Sequence, residues 1–448
     1  MNVPSESDQA GSTSPTPVLP TGPSLGPRRH WTAAAVGVLV VLLAGVLGWA
    51  GFVRLRVPRS LGEISQLLQR QEWVAAENSL RLYLRGHPDD PAALMLLGQC
   101  LGGRGALVQA AGVLETVPAG AAERRNALFG AGLAWKDANH RRDAERVWLE
   151  CLELPRGELE PPDIERQCLL QLCEMYALER RRVELWSMTQ RVYDMAEPRQ
   201  KHQALVMRVR YPLEMVQPPL ALGTLQPALD IDPTDLKTRR AIGLYHLEAG
   251  QMREARAQLY RYTQEAPDDP LIWEAWCACL HKDQDKFGLE RAVAGLPASA
   301  DALAQCWKFR AIVAQEKSDL EQAVAALERS VQIDPSDPEL HHRLGQLLVR
   351  MGDSPRAQQH LTRNRELQEA RDALRDAMEE YRTSWTRDPA RRPELAYQFG
   401  LAHEKLGEVE DSKAWYRAAL AEDPAHAHSI AALQRLQTAA VAEPTLVP

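Results

Sequence analysis

Aromatic side chains are scarce in this chain, at 6% of its residues with only five phenylalanines, and Ala, Leu, Arg and Glu dominate in their place. Such residues are good helix formers, so an all-α fold is expected. Cysteine is sparse as well. The seven, Cys100, Cys151, Cys168, Cys173, Cys277, Cys279 and Cys306, are odd in number and fall within predicted helices, which argues against a disulfide framework and for reduced core residues. A basic surplus is missing. The formal net charge is −7, and residues 1–56 hold four Arg against Glu6 and Asp8, which leaves −9 for the remainder. That balance disfavours binding to nucleic-acid phosphates.

The residue patterns of catalysis are also lacking. Gly102, Gly103 and Gly105 are not followed by the Lys and Ser or Thr of a phosphate-binding loop, and Gly130 and Gly132 fall inside a predicted helix, not after a strand. Cys168 and Cys173, like Cys277 and Cys279, lack the two-residue separation of zinc ribbons and redox pairs. His403 and Glu404 have no second His at the spacing of a zinc protease, and His426 and His428 are expected to point apart on a helix. Adjacent carboxylates such as Glu379 and Glu380 diverge, so acid and base roles are poorly served. Trp135, Trp148, Trp273, Trp276 and Trp307, at helical spacing, read as core. No catalytic, cofactor-binding or metal-binding residue is therefore assigned, no cofactor is expected, and the chain is not expected to be an enzyme.

One long apolar run is present. Residues 31–53 carry no formal charge and are flanked by Arg28 and Arg29 on one side and Arg54, Arg56 and Arg59 on the other. At about 1.5 Å per residue the run spans roughly 35 Å, enough for a hydrocarbon core of about 30 Å, and it reads as a transmembrane helix. A cleavable signal peptide is the rival reading, with Gly48 and Ala50 at its small-residue positions. The preceding arm, 1–30, is rich in Pro, Ser, Thr and Gly and is expected to be disordered. The localisation that follows is single-pass membrane, with a slight lean to a cytoplasmic soluble part. Ala44, Gly48 and Gly51 share a helical face that could mediate a homodimer.

The rest of the chain repeats. Units beginning at Leu236, Pro270, Ala304 and Pro338 stand 34 residues apart and place Gly243, Cys277, Ala311 and Gly345 at the eighth position. Ala255, Leu289, Ala323 and Ala357 occupy the twentieth, and Leu259, Val293, Leu327 and Leu361 the twenty-fourth. Small residues at the eighth and twentieth places let two helices approach closely, while the twenty-fourth is expected to fill the space between neighbouring hairpins. Gly250 and Gly352, at the fifteenth place, suit the left-handed end of a first helix, and Pro267 and Pro335 stop the second. Further units start at Val57, Pro91, Arg125, residue 202 and Pro393.

These residues resemble the tetratricopeptide-repeat (TPR) family, whose 34-residue helix-turn-helix pattern is distinctive. The resemblance implies a right-handed α-solenoid of about nine or ten helix hairpins, here preceded by one transmembrane helix. TPR units are expected over 57–158, 202–371 and 393–426, with an irregular unit and insertion at 159–201. An irregular helical extension follows at 372–392, and 427–448 forms a capping helix and tail. The family implies a non-catalytic scaffold that binds peptide segments or helices of other proteins through a concave surface, anchored in a membrane. Accessory roles in envelope, glycan or secretion pathways, or a structural spacer, are the alternatives. In the family the second, fifth and ninth places of the first helix face the concave surface, and here they hold Arg210, Lys237, Arg240, Lys308 and His342 against Glu274 and Glu339. This basic bias would favour an acidic partner segment.

Overall fold

A computed structural model of the chain describes residues 60–155, 163–213 and 216–442. The chain divides into two compact units, Met1–Ile64 and Ser65–Pro448, and the second holds nearly all of what is described. The described residues form twenty-one α-helices joined by short turns, with no strand among them. In chain order they are α1 (Leu61–Gln69), α2 (Trp73–Gly86), α3 (Pro91–Gly103), α4 (Leu107–Glu115), α5 (Arg124–Asp137), α6 (Arg141–Glu153) and α7 (Asp163–Leu178). There follow α8 (Arg182–Met195), α9 (Lys201–Leu213), α10 (Pro218–Ile231), α11 (Leu236–Glu248), α12 (Met252–Glu265), α13 (Pro270–Lys282) and α14 (Lys286–Ala294). The last seven are α15 (Ala304–Glu316), α16 (Leu320–Ile333), α17 (Pro338–Met351), α18 (Ser354–Ser384), α19 (Arg392–Leu406), α20 (Val409–Glu422) and α21 (Ala427–Ala442).

The repeat phase is written into the helix ends. Asp90, Asp269 and Asp337 each cap a first helix that opens on proline, and their carboxylates accept hydrogen bonds from the backbone N–H of Ala93, Leu271 and Glu339 at 2.9–3.1 Å. Proline supplies the helical φ and gives up an N–H that would have been orphaned. At the fifteenth place the backbone is left-handed in unit after unit, whatever the residue: Gly105, Gly250, Gly352 and Gly407, but also Gln71, Asn139, Gln284 and Ser318. Arg180 shares this conformation, with φ of 56°, which sets the first place of the irregular unit at Arg166 and brings α7 and α8 into the common register.

From α2 to α21 each helix packs on its successor, with one exception: α9 and α10 do not pair. The apolar face of α9, Leu205, Val206 and Val209, is buried instead with Leu367 and Leu374 of α18, Phe399 of α19 and Trp415 of α20. Arg208 binds Asp411 of α20 and the Gln190 side chain, and it lies over the Trp186 ring at 4.9 Å. Prolines mark the departure: Pro212 stands in the last turn of α9, and Pro218 and Pro219 open α10. Meanwhile α11 docks on the end of α7, where the Tyr245 hydroxyl donates to the Leu178 carbonyl at 3.1 Å and Arg180 pairs with Glu248.

One sequence expectation is extended and another needs correction. The twenty-fourth side chain packs on the next hairpin, as Leu259 does with Ile272 and Ala275 and Leu327 with Leu340 and Leu344, and also back into its own: a Cβ at Gly98, Gly243 or Gly400 would stand 2.5 Å from Leu114, Leu259 or Tyr416, each sixteen residues on. The membrane localisation is corrected. No helix among the described residues is long and apolar enough to cross a membrane. The one helix of sufficient length, α18, carries charges throughout, including Arg363, Glu366, Asp372 and Glu379. The run 31–53, and with it the arm and the dimerisation face, lies outside the described residues.

Candidate protein-binding face of the first helices

The first helices of successive units lie side by side, α3 on α5, α5 on α7, α11 on α13 and α13 on α15. The fifth places of α11, α13 and α15, Arg240, Glu274 and Lys308, consequently form a row, and Lys308 pairs with Glu339 on α17, whose fifth place is His342. The fields of Arg240 and Lys308 both reach Glu274. Burial raises its carboxyl above the ordinary value, against the opposing fields of Arg240, Arg182 and Lys308. No direct ion pair holds it, although its two row neighbours are both basic.

The expected basic residues are placed unevenly. Arg240 is buried, and its guanidinium donates to the Arg180 carbonyl at 3.3 Å, so it serves the α7–α8 turn more than the surface. Lys308 is largely covered and pairs with Glu339 at 3.2 Å, while Glu339 also takes Arg343 at 2.8 Å. Burial pushes the Glu339 carboxyl up, but these two cations outweigh it and hold it below its ordinary value. His342 is exposed and bonds Gln346 at 2.8 Å. Lys237 lies 3.6 Å from Glu145 in a cleft of about 680 Å³ that also takes in Arg142, Glu150 and Asp269. Arg210 sits apart from this row on the displaced α9, where its field reaches Tyr381 of α18.

Glu145 belongs to a network that sequence reasoning missed. Arg181, almost wholly buried, binds Glu145 at 2.6 Å, Glu184 at 2.9 Å and Glu179 at 3.1 Å, and Glu179 takes Arg141 at 2.7 Å. Burial raises the Glu145 carboxyl, yet the Arg181 hydrogen bond and charge bring it below the ordinary value. Buried charges endure only when paired in this way. The only sequence signal was three consecutive arginines, Arg180 to Arg182, flanked by Glu179 and Glu184, which a solvated surface also produces. The face as a whole is therefore of mixed charge, with acids from distant positions offsetting the basic residues.

All seven cysteines are buried and unbridged. Burial pushes the Cys279 thiol up to about 11 and those of Cys173 and Cys306 to about 12, so these thiols are poor nucleophiles at neutral pH.

Family models of the tetratricopeptide repeat match three stretches, residues 61–125, 316–352 and 393–426. No curated protein matches the chain. Among solved structures, MamA (41-end) from Desulfovibrio magneticus RS-1 is 21% identical over 40% of this chain and 99% of its own, with a TM-score of 0.30. Cut9-Hcn1, an APC/C hetero-tetramer, is 13% identical over 84% and 82% with a TM-score of 0.29, and the P58(IPK) TPR domain is 13% identical over 84% and 96% with a TM-score of 0.25. Three separate stretches of this chain thus carry tetratricopeptide repeats, and they frame helices that keep the same turn conformation and the same glycine-to-large-residue contacts.

Proposed function

We propose that this chain is a non-catalytic scaffold that holds other proteins against the face built by α11, α13, α15 and α17. The observation that carries the reading is the row of fifth-place residues. Glu274, half-buried in the fields of Arg240 and Lys308 and without a direct ion pair, is a polar group that a partner could satisfy, and His342 offers an exposed imidazole at the same position two units on. Helix faces of this kind recognise extended segments or helices by many small contacts on a preformed surface. Because Lys308 and Lys237 already have acidic neighbours, a partner segment carrying both charge signs suits the face better than a purely acidic one. Burial suppresses the nucleophilicity of Cys173, Cys279 and Cys306, and the charge clusters are ion pairs within the fold, which supports a binding role over a catalytic one.

Site-specific photocrosslinking tests this. A crosslinking residue at position 342 should capture partner proteins in cells, whereas the same residue at the exposed Arg329 position of α16 should not. Equal capture from both positions would remove the assignment to this face.

A further inference from the structure

We propose that Glu394, His426 and His428 form a zinc site that ties the last helix, α21, to the start of α19. His426 ends the turn before α21 and is not inside it, so its ring leaves the backbone in a different direction from that of His428 in the first turn. The two imidazoles therefore converge, contrary to the expectation from their spacing. One carboxylate oxygen of Glu394 lies 3.4 Å from His426 Nε2 and 4.0 Å from His428 Nδ1, and the three ligand atoms lie within 4.8 Å of one another.

Zinc bonds to nitrogen and oxygen of about 2.0–2.1 Å place neighbouring ligands of a tetrahedron about 3.3–3.4 Å apart. His426 and Glu394 already stand at that separation. The other two edges close when the mostly exposed His428 side chain, now 4.0 Å from Glu394, rotates inwards. The other nitrogen of His426 is also accounted for: Nδ1 lies 2.9 Å from the hydroxyl oxygen of the fully buried Ser429. With Nδ1–H donating to Ser429, the lone pair of Nε2 faces Glu394, the outer-shell arrangement that orients a ligating histidine.

The surroundings permit the ion. Tyr397 walls the site, its ring centroid 5.8 Å from that of His426 and 5.4 Å from that of His428. The nearby cations are engaged elsewhere: Arg391 by Glu380 at 2.7 Å and Arg435 by Glu404 at 2.8 Å. Two imidazoles and a carboxylate suit zinc, with the exposed side left for water or for a fourth ligand from outside. A second convergent set, His403, Glu408 and Asp411, is less suited because Arg208 already binds Asp411.

Tag-free full-length protein, stripped with EDTA and titrated calorimetrically with zinc chloride, should bind one zinc saturably and gain melting temperature as it does so. His428→Ala and Glu394→Gln should each weaken that binding at least tenfold and abolish the thermal gain while leaving the metal-free melt unchanged, and His246→Ala should alter none of these. Zinc affinity that is the same in both site variants as in the parent, or an absence of saturable binding by the parent, overturns the site.

Discussion

A Cβ placed on Gly132 would fall inside the indole of Trp148, whose ring occupies the slot left by the missing side chain. The Trp148 Nε1 donates to the Phe129 carbonyl at 3.3 Å, one turn before Gly132 on the same helix, so the ring is held there by a hydrogen bond as well as by packing. Gly132→Ala should cost about 1–3 kcal/mol, as overpacking of a close helix contact does. Gly112→Ala is the matched control, since nothing lies within 4 Å of its Cβ position, and it should be neutral or slightly stabilising. Denaturant unfolding of the two variants separates them.

Ser318 carries a left-handed backbone, φ 63°, at the place where Gly352 stands in the next unit. That conformation costs an ordinary L-residue about 1–2 kcal/mol. Ser318→Gly should therefore stabilise the chain by about 0.5–1 kcal/mol after the added freedom of glycine in the unfolded state, and Gly352→Ala should destabilise it. Thermal melts that rank these two variants in the opposite order would disprove the shared turn geometry.

Removing Asp411 leaves Arg208 without its ionic partner at a mostly buried position on α9. Asp411→Ala should cost about 1–3 kcal/mol, the penalty for an unsatisfied polar group. Hydrogen exchange should accelerate in α9 first, because α9 has no hairpin partner of its own, while α11 to α16 keep their protection.

Glu274 ionises less readily in the folded chain than its ordinary value of 4.5 implies. The folded state thus binds more protons than the unfolded state between 4.5 and the raised value, and stability falls as pH rises through that window. Glu274→Gln, which stays neutral, should melt above the parent at pH 7, and the gap should close as pH falls below 4.5. A gap that is the same at pH 4 and pH 7 would show that the carboxylate is not held in a desolvated place.

The repeat phase was legible because glycine and alanine at the eighth and twentieth places are steric requirements, and sterics leave a signature in one position at a time. The left-handed turns were legible only at glycine. Gln284 and Ser318 adopt the same backbone because the helices on either side impose it, and nothing in those residue types announces it. The displacement of α9 was half legible: Pro212, Pro218 and Pro219 marked a fault in the unit, but its new contacts lie on helices far along the chain. The charge of the candidate face was misjudged for a related reason. Glu145, which faces Lys237, comes from a helix of another unit, and a reading of first-helix positions does not reach it. His426 and His428 were misread because a helix was assumed to include both.

Repeat arrays ordinarily fold from contacts between neighbours, so that each end melts with little effect on the other. The packing of α9 on α18 and α20 breaks that rule by joining residues such as Arg208 and Asp411 at a sequence separation of about two hundred. Such a contact must wait for a long loop to close and contributes only once the intervening units are in place. The cost of that wait falls on the folding rate. Its consequence in the native state is that the middle and the carboxyl-terminal portion of the array unfold together, so a truncation after α17 should loosen α9 although every neighbour of α9 in the chain remains.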